Sequence, residues 1–306
     1  MHAITVSDRD AGVADLSLTE LPYPHPATND VVVRVHAAGV IPNELDWPDT
    51  WVDQAGRDRT PSVPGHEVSG VVVELGYGTT GLSIGQRVFG LVDWSRNGGL
   101  AEYTAVAARN LAPLPVDIDH PTAAALVISG LTAWQALFDH GHLAAGQTVL
   151  IHGAAGAVGS IALQLAREAG AQVIGTGRSA DREQALSLGA HTFIDLDTEK
   201  LEDIGEVDLV FDVIGGDILA QSAAVVRAGG TLVTVAEPPK TQPHNGRALF
   251  FVVETDRTQL TELATRVRDG RLRPVVGAVV PLSEAVSAFA PHERTPGKRV
   301  VRVAQD

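Results

Sequence analysis

The sequence predicts an α/β protein in which a doubly wound parallel sheet is joined to a β-rich domain. Three observations carry this. Short β-branched runs broken by Gly and Pro fill the first 120 residues. From 121 to 253 strand-like and helix-like segments alternate. Between a buried apolar run and an amphipathic stretch lies a glycine-rich turn, Gly153-Ala154-Ala155-Gly156-Ala157-Val158-Gly159.

In the first stretch, 31–35, 71–75 and 87–92 read as strands, punctuated by Pro22, Pro24, Pro26, Pro61 and Pro64. The run 148–151 has the continuous apolar character of a strand buried on both faces. After the turn, Val158, Ile161, Ala162, Leu165 and Ala169 recur at helical spacing, and Gly170 supplies the stop. Strands are expected at 172–176, 192–194, 207–213, 231–235 and 249–253, with a helix over 218–227 before Gly229-Gly230. In the tail, 258–269 is an amphipathic helix ended by Gly270, 283–289 a short helix and 299–303 a closing strand. The tail is expected to return to the first domain. Residues 1–120 and 254–306 then form one domain, and 121–253 is inserted into it.

At 306 residues the chain can bury two cores. With 44% hydrophobic and 20% charged residues it is globular rather than disordered. Its 37 acidic against 23 basic side chains leave a net charge of −14. That balance provides no basic stripe for a nucleic acid and is read as solubility. The absence of cysteine excludes disulfides, thiolate zinc sites and thiol catalysis. Met1-His2-Ala3-Ile4-Thr5 does not resemble a secretory signal, and the best apolar stretch, 123–131, is too short to span a membrane. A soluble cytoplasmic protein is expected.

The turn has the strand–turn–helix setting that a dinucleotide needs. Ala154-x-Gly156-x-x-Gly159 matches the fingerprint spacing. Gly156 lets the backbone approach a pyrophosphate, and Gly159 lets helix and strand pack closely. The helix N-terminus then offers free amides and its positive dipole end to the phosphates. At the end of the next strand an NAD site would place Asp or Glu. Here stand Gly177, Arg178 and Ser179, with Arg182 one helical turn on and Asp181 close by. An arginine fork beside a hydroxyl suits a 2′-phosphate, so NADPH is expected over NADH.

Further segments, in order, carry a resemblance. They are Ala37-Ala38-Gly39-Val40, Pro64-Gly65-His66-Glu67-Val68-Ser69-Gly70, Gly98-Gly99-Leu100-Ala101-Glu102-Tyr103 and Ser129-Gly130-Leu131-Thr132-Ala133-Trp134. The turn itself, Leu188-Gly189-Ala190, Phe211-Asp212-Val213-Ile214-Gly215-Gly216 and Gly297-Lys298 complete the set. The chain resembles the medium-chain dehydrogenase/reductase superfamily, and within it the zinc-free quinone oxidoreductases. The resemblance implies a GroES-like catalytic domain, a Rossmann domain, and a cleft between them for nicotinamide and substrate.

It also implies residue roles. Thr132 is expected near the nicotinamide and its ribose. Val213, Ile214 and Gly215, with Val235 and Ala236 at the next strand end, are expected to flank the adenosine or ribose. Phe250, Phe251 and Val252 correspond to the segment lining the nicotinamide. Lys298 follows a Gly-Lys pair found near the cofactor, and Asn43 stands for a cleft asparagine, so Asn43 and Thr132 are the catalytic candidates. Leu196 departs from relatives that carry a tyrosine near the adenine. The family pairs sheet edges into a homodimer, and 249–253 could serve.

No metal is expected. Gly65-His66-Glu67 looks like the zinc-bearing Gly-His-Glu of alcohol dehydrogenases, but Ile41 or Pro42 stands where those place a cysteine. His66 with Glu67 and Asp46 is the most that can be offered, and no soft ligand is available. His140-x-His142 reads as surface chemistry at a helix end. Without a Lewis acid, the accessible reaction is hydride donation to an electron-poor acceptor, a quinone or the β-carbon of an α,β-unsaturated carbonyl. Trp47, Trp51 and Trp94 are either an aromatic wall for such an acceptor or core anchors. An enoyl reductase of a biosynthetic pathway has the same chemistry. A non-catalytic, crystallin-like or sensor protein that binds NADPH shares the same cofactor motifs.

Overall fold

The computed structural model describes residues 1–289 and 296–304. Two compact units make up the chain. The first contains Met1–Ile128, Thr255–Arg268 and Val276–Asp306; the second contains Ser129–Glu254 and Asp269–Val275.

In chain order, the first unit begins with β1 (His2–Thr5), β2 (Ser17–Glu20), β3 (Asp30–Val40), the short helix α1 (Pro48–Trp51), β4 (Glu67–Leu75), β5 (Arg87–Leu91), β6 (Tyr103–Ala107) and β7 (Leu111–Pro113). Helix α2 (His120–Trp134) runs across the unit boundary. Then come β8 (Thr148–Ile151), α3 (Ala157–Glu168), β9 (Gln172–Gly177), α4 (Arg182–Ser187), β10 (Thr192–Asp195), β11 (Val207–Asp212), α5 (Gly216–Ser222), β12 (Val226–Thr234) and β13 (Arg247–Phe250). The tail adds α6 (Arg257–Arg268), β14 (Val276–Pro281), α7 (Ala285–Phe289) and β15 (Lys298–Arg302).

The second unit is a six-stranded sheet in the order β10-β9-β8-β11-β12-β13, parallel at every pairing. Written by position within this unit, that is 3-2-1-4-5-6, the doubly wound Rossmann order. Strand order reverses between β8 and β11, paired Val149 to Leu209 and Ile151 to Phe211. The centres of these strands are apolar because helices cover both faces. Val149, Leu150, Ile151, Val210 and Phe211 are fully buried.

The first unit is a GroES-like β structure with sheet path β14-β15-β3-β4-β5-β7, and β6 also pairing with β3. Its closing strand β15 runs antiparallel to β3, Arg299 opposite Val40 and Arg302 opposite Ala37. One core cluster packs Val33, Val68, Val72, Val88, Val106 and Leu111. A second packs Ile4, Val35, Val63, Leu100, Phe289 and Val301.

Four details depart from the sequence expectations. The helix expected over 218–227 ends early, because Val226 already pairs with Val207 in β12. The Gly229-Gly230 step lies inside that strand: Gly229 has φ 78°, and a Cβ on Gly230 would lie 2.8 Å from the Asp208 carbonyl. The strand expected at 249–253 stops at Phe250. Beyond it the Gln135 side chain takes over, donating to the Glu254 carbonyl at 2.8 Å and accepting from its amide at 3.0 Å. Residues 269–275, expected with the first domain, belong to the second unit. There Gln164 brackets Arg273, accepting from its amide and donating to its carbonyl, while Arg271 pairs with Glu168. Finally, the apolar stretch at 123–131 continues as one helical rod, His120–His140, long and apolar enough to cross a membrane. Most of it is buried inside the protein, which suits a core helix.

Candidate active site

The glycine turn sits where the expected motif requires. Strand β8 delivers the chain to Gly153, which has φ 66° and so adopts a conformation that side chains disfavour. The Ala154 amide donates to the Thr176 carbonyl at 2.9 Å, tying the turn to β9. Gly156 caps α3 in extended conformation. The first-turn amides of Ala157, Val158 and Gly159 have no carbonyl four residues back inside the helix. Ala154 and Ala155 are buried, whereas Gly156, Ala157 and Val158 are partly open. Gly159 is where α3 presses on the turn, since a Cβ there would lie 2.8 Å from the Gly153 carbonyl carbon and nearer still to its oxygen.

Across the strand reversal stands the loop after β11. Its organiser, which sequence reasoning missed, is Asp212. This fully buried carboxylate accepts from the amides of Ile214 (3.1 Å) and Gly215 (3.1 Å) and from the Thr234 hydroxyl (2.8 Å). The clue in the sequence was an acid closing the apolar run Leu209-Val210-Phe211 just before Gly-Gly. A Cβ on Gly153 would reach Val213 at 2.8 Å, and one on Gly215 would reach Ala236 at 3.0 Å. The expected residues Gly153, Val213, Gly215 and Ala236 therefore lie together at the carboxyl ends of β8, β11 and β12, with Ile214 exposed and Val235 half-buried beside them. An open sheet binds its ligand at such strand ends, and these residues fit a dinucleotide.

At the end of β9, Gly177 is buried and Arg178 and Ser179 are exposed. Among the described residues no carboxylate pairs with the Arg178 guanidinium. Arg182 is committed elsewhere. Its guanidinium donates to the Phe193 carbonyl (3.0 Å) and to Glu199 (2.8 Å) and lies 5.1 Å over the Phe193 ring. Asp181 accepts from the Arg178 amide at 3.2 Å and tucks under Gly177, where a Cβ would meet its carboxylate at 2.8 Å. Leu196 packs into the apolar cluster around Leu150, Leu201 and Val210.

His152, immediately before the turn and part of the resembling segment, is a second feature to which the sequence assigned no role. Fully buried, it lies 2.8 Å from the Thr176 hydroxyl through Nδ1 and 2.7 Å from the Ser222 hydroxyl through Nε2. The Ser222 hydroxyl donates to the Ile218 carbonyl, so it accepts from Nε2–H, and Nδ1 accepts from Thr176. Burial lowers its pKa from 6.5 to about 4. With the folded value below the unfolded one, no penalty exists above about pH 6.5. Below it the unfolded chain binds the proton first, so stability falls between about pH 6.5 and 4, by a few kcal/mol in total. Urea unfolding at pH 7.5 and pH 5 should show this loss, and His152→Gln should flatten it.

In the first unit His66 has both nitrogens engaged. Its Nε2 is 3.1 Å from the Arg96 carbonyl, which only accepts, so Nε2 carries hydrogen. Its Nδ1 is 2.5 Å from Glu44, a wholly buried carboxylate that also accepts from the Gly65 amide at 2.8 Å. Glu67 accepts from the Ile128 amide at 2.9 Å and faces the Lys298 ammonium in a buried ion pair. The described residues contain no group of three or more metal-donor side chains. This donor set does not fit a zinc ion: the one imidazole is engaged at both nitrogens, Glu67 is paired with Lys298, and the one unpartnered oxygen among them, Glu44 Oε2, is a single hard donor where a catalytic zinc needs three ligands.

Lys298, expected beside the cofactor, thus spends its charge on Glu67. Trp51 is a core anchor, 6% exposed and donating to the Leu45 carbonyl at 2.9 Å. Trp47 and Trp94 are half-buried and meet edge to face at 90° and 5.1 Å, with the His66 ring behind Trp94 at 5.4 Å. They form a corner, and Trp51 follows the core-anchor alternative. Asn43 is exposed at the start of a short 3-10 turn whose next residue is Glu44. In the second unit Thr132 is buried in α2, Phe250 and Val252 are exposed, and Phe251 packs on His140 at 4.4 Å. His142 turns back onto the Phe138 carbonyl at 3.2 Å.

Comparison with known proteins agrees with this geometry. Residues 27–116 match the alcohol dehydrogenase GroES-like domain family, and 188–301 match the zinc-binding dehydrogenase family. The quinone oxidoreductase of Rattus norvegicus is 30% identical over 304 residues, covering 92% of this chain and 90% of the relative. A 2-methylene-furan-3-one reductase of Solanum lycopersicum is 34% identical over 257 residues, 79% of this chain and 63% of the relative. The solved quinone oxidoreductase from Coxiella burnetii superposes with a TM-score of 0.91 at 29% identity, covering 99% of both chains.

Proposed function

The chain belongs to the medium-chain dehydrogenase/reductase superfamily, in its quinone oxidoreductase-like family, and we propose that it reduces quinones or α,β-unsaturated carbonyls with NADPH and without zinc. One observation carries the reading: the imidazole that a zinc enzyme of this type would use is tied at both nitrogens, while the glycine turn and the Asp212-ordered loop stand together at the strand ends. The nicotinamide supplies hydride when bound. The chain's own contribution is to hold that cofactor through the α3 amides and the Asp212-ordered loop, and to bind an acceptor that needs no Lewis acid.

NADPH over NADH rests on Arg178, the exposed guanidinium at the end of β9 with no carboxylate partner among the described residues. The Trp47–Trp94 corner favours a flat conjugated acceptor. Relatives named for quinones and for a methylene-furanone support the two acceptor classes. The reduced product takes its proton from solvent. The same reading has the protein act in the cytoplasm as a homodimer joined at the β13 edge, where Phe250 is exposed.

Initial rates of NADPH and NADH oxidation against benzoquinone, an enone and a simple aldehyde, with and without EDTA, test this. Chelator-insensitive turnover of the first two with NADPH preferred is expected. Chelator-sensitive alcohol oxidation would overturn it. Tight cofactor binding without turnover of any acceptor would favour the non-catalytic reading. Preference for one long-chain enoyl substrate would favour the biosynthetic reductase.

A further inference from the structure

Resting on the NADPH reading above, the geometry points to Glu199 as a selectivity-tuning residue: it competes with the 2′-phosphate for Arg182 and so restrains the preference for NADPH over NADH. Arg182 opens α4, one helical turn past Arg178, and is the second cation within reach of the end of β9. Its three contacts all lie on the neighbouring β10 side. They are the Phe193 carbonyl at 3.0 Å, the Phe193 ring at 5.1 Å and the Glu199 carboxylate at 2.8 Å.

Glu199 is itself held in place. The carboxylate oxygen that meets Arg182 also accepts from the Asp195 amide at 2.9 Å, and the Glu199 amide donates to the Asp195 carbonyl at 2.7 Å. The latch is therefore anchored to the end of β10. Its strength suits a tuning role, since the two side chains are 45% and 43% exposed. A solvated pair of this kind is weak enough for a phosphate dianion, with more charge and more oxygens, to displace it. NADH carries no 2′-phosphate and gains nothing from a released Arg182, so the latch acts on one cofactor only. Glu199 is a positioning residue that acts through Arg182.

The test measures NADPH and NADH dissociation constants at low ionic strength for the wild type, Glu199→Gln, Glu199→Gln/Arg182→Ala and Arg178→Ala, with thermal melting to verify folding. Glu199→Gln should tighten NADPH about fivefold, the upper end for an exposed pair, and leave NADH unchanged. The double variant should lose that gain, because it needs Arg182. Unchanged or weaker NADPH binding in Glu199→Gln would overturn the latch. Arg178→Ala separates the two levels. If it removes an NADPH preference while Glu199→Gln does nothing, only the latch fails. If the wild type has no NADPH preference and Arg178→Ala alters neither constant, the NADPH reading fails and the latch with it.

Discussion

Gly159→Ala is expected to abolish measurable cofactor binding, with affinity falling at least about 100-fold. The added methyl would sit 2.8 Å from the Gly153 carbonyl carbon and 2.9 Å from the Ala154 Cα. Both are backbone atoms of the turn itself, so no side chain can rotate to make room. Either α3 moves away from β8 or the turn opens, and in both cases the first-turn amides no longer converge on the phosphates. Overpacking of this kind costs about 1–3 kcal/mol, so the fold should survive in weakened form. Gly156→Ala is the informative companion. Its Cβ would meet only the Gly153 oxygen, at 3.2 Å, so the turn should persist while the approach of the pyrophosphate is obstructed. Urea unfolding together with the NADPH-induced rise in melting temperature distinguishes the two. A Gly159→Ala protein that keeps a wild-type cofactor shift would refute the account of the cradle.

Lys298→Met is expected to destabilise the first unit by about 3–5 kcal/mol at neutral pH. Lys298 is 6% exposed and Glu67 is wholly buried. Removing the ammonium leaves a carboxylate in the interior that keeps just the Ile128 amide as hydrogen-bond donor among the described residues. Burial already raises the Glu67 pKa, and Lys298 is the main influence pulling it back down. Without that cation the folded value rises further above the unfolded one. The sign follows: a group with a raised folded pKa contributes most below its unfolded value and loses that contribution as pH rises through the folded value. The penalty of Lys298→Met should therefore shrink in acid, where Glu67 is neutral. Adding Glu67→Gln should recover most of the loss at pH 7.5. A penalty independent of pH, or no rescue by the second change, would show that packing rather than charge governs the site.

The same pair shows a partner that chain position does not announce. Gly297-Lys298 resembles a motif near the cofactor, yet the side chain turns inward because β15 lies antiparallel to β3, which pairs in turn with β4 and its Glu67. Arg182 is a second instance. Its spacing from the turn suits a phosphate ligand, and Glu199, from beyond the next strand, is the partner that spacing could not announce. Trp51 is a third. Nothing in its local sequence separates it from Trp47, and its burial depends on the core formed with Ile4, Leu100 and Phe289.

What the sequence determined by itself is whatever local periodicity and steric necessity encode. The doubly wound sheet followed from buried runs alternating with helical spacing, and the dinucleotide crevice followed from glycines that no other residue can replace at Gly153 and Gly159. The absence of thiolate ligands was equally plain. Only the tertiary structure decided which charges are spent and which are available. Asp212 became the organiser of a loop, His66 lost both nitrogens to Glu44 and a carbonyl, Lys298 was consumed by Glu67, and Arg178 kept an exposed side chain with no carboxylate paired to its guanidinium among the described residues. The physical reason is that backbone conformation depends on near neighbours along the chain. The partner of a charged side chain is set by which strands the fold places side by side, and those lie 17 residues apart for Arg182 and Glu199 and 22 for His66 and Glu44.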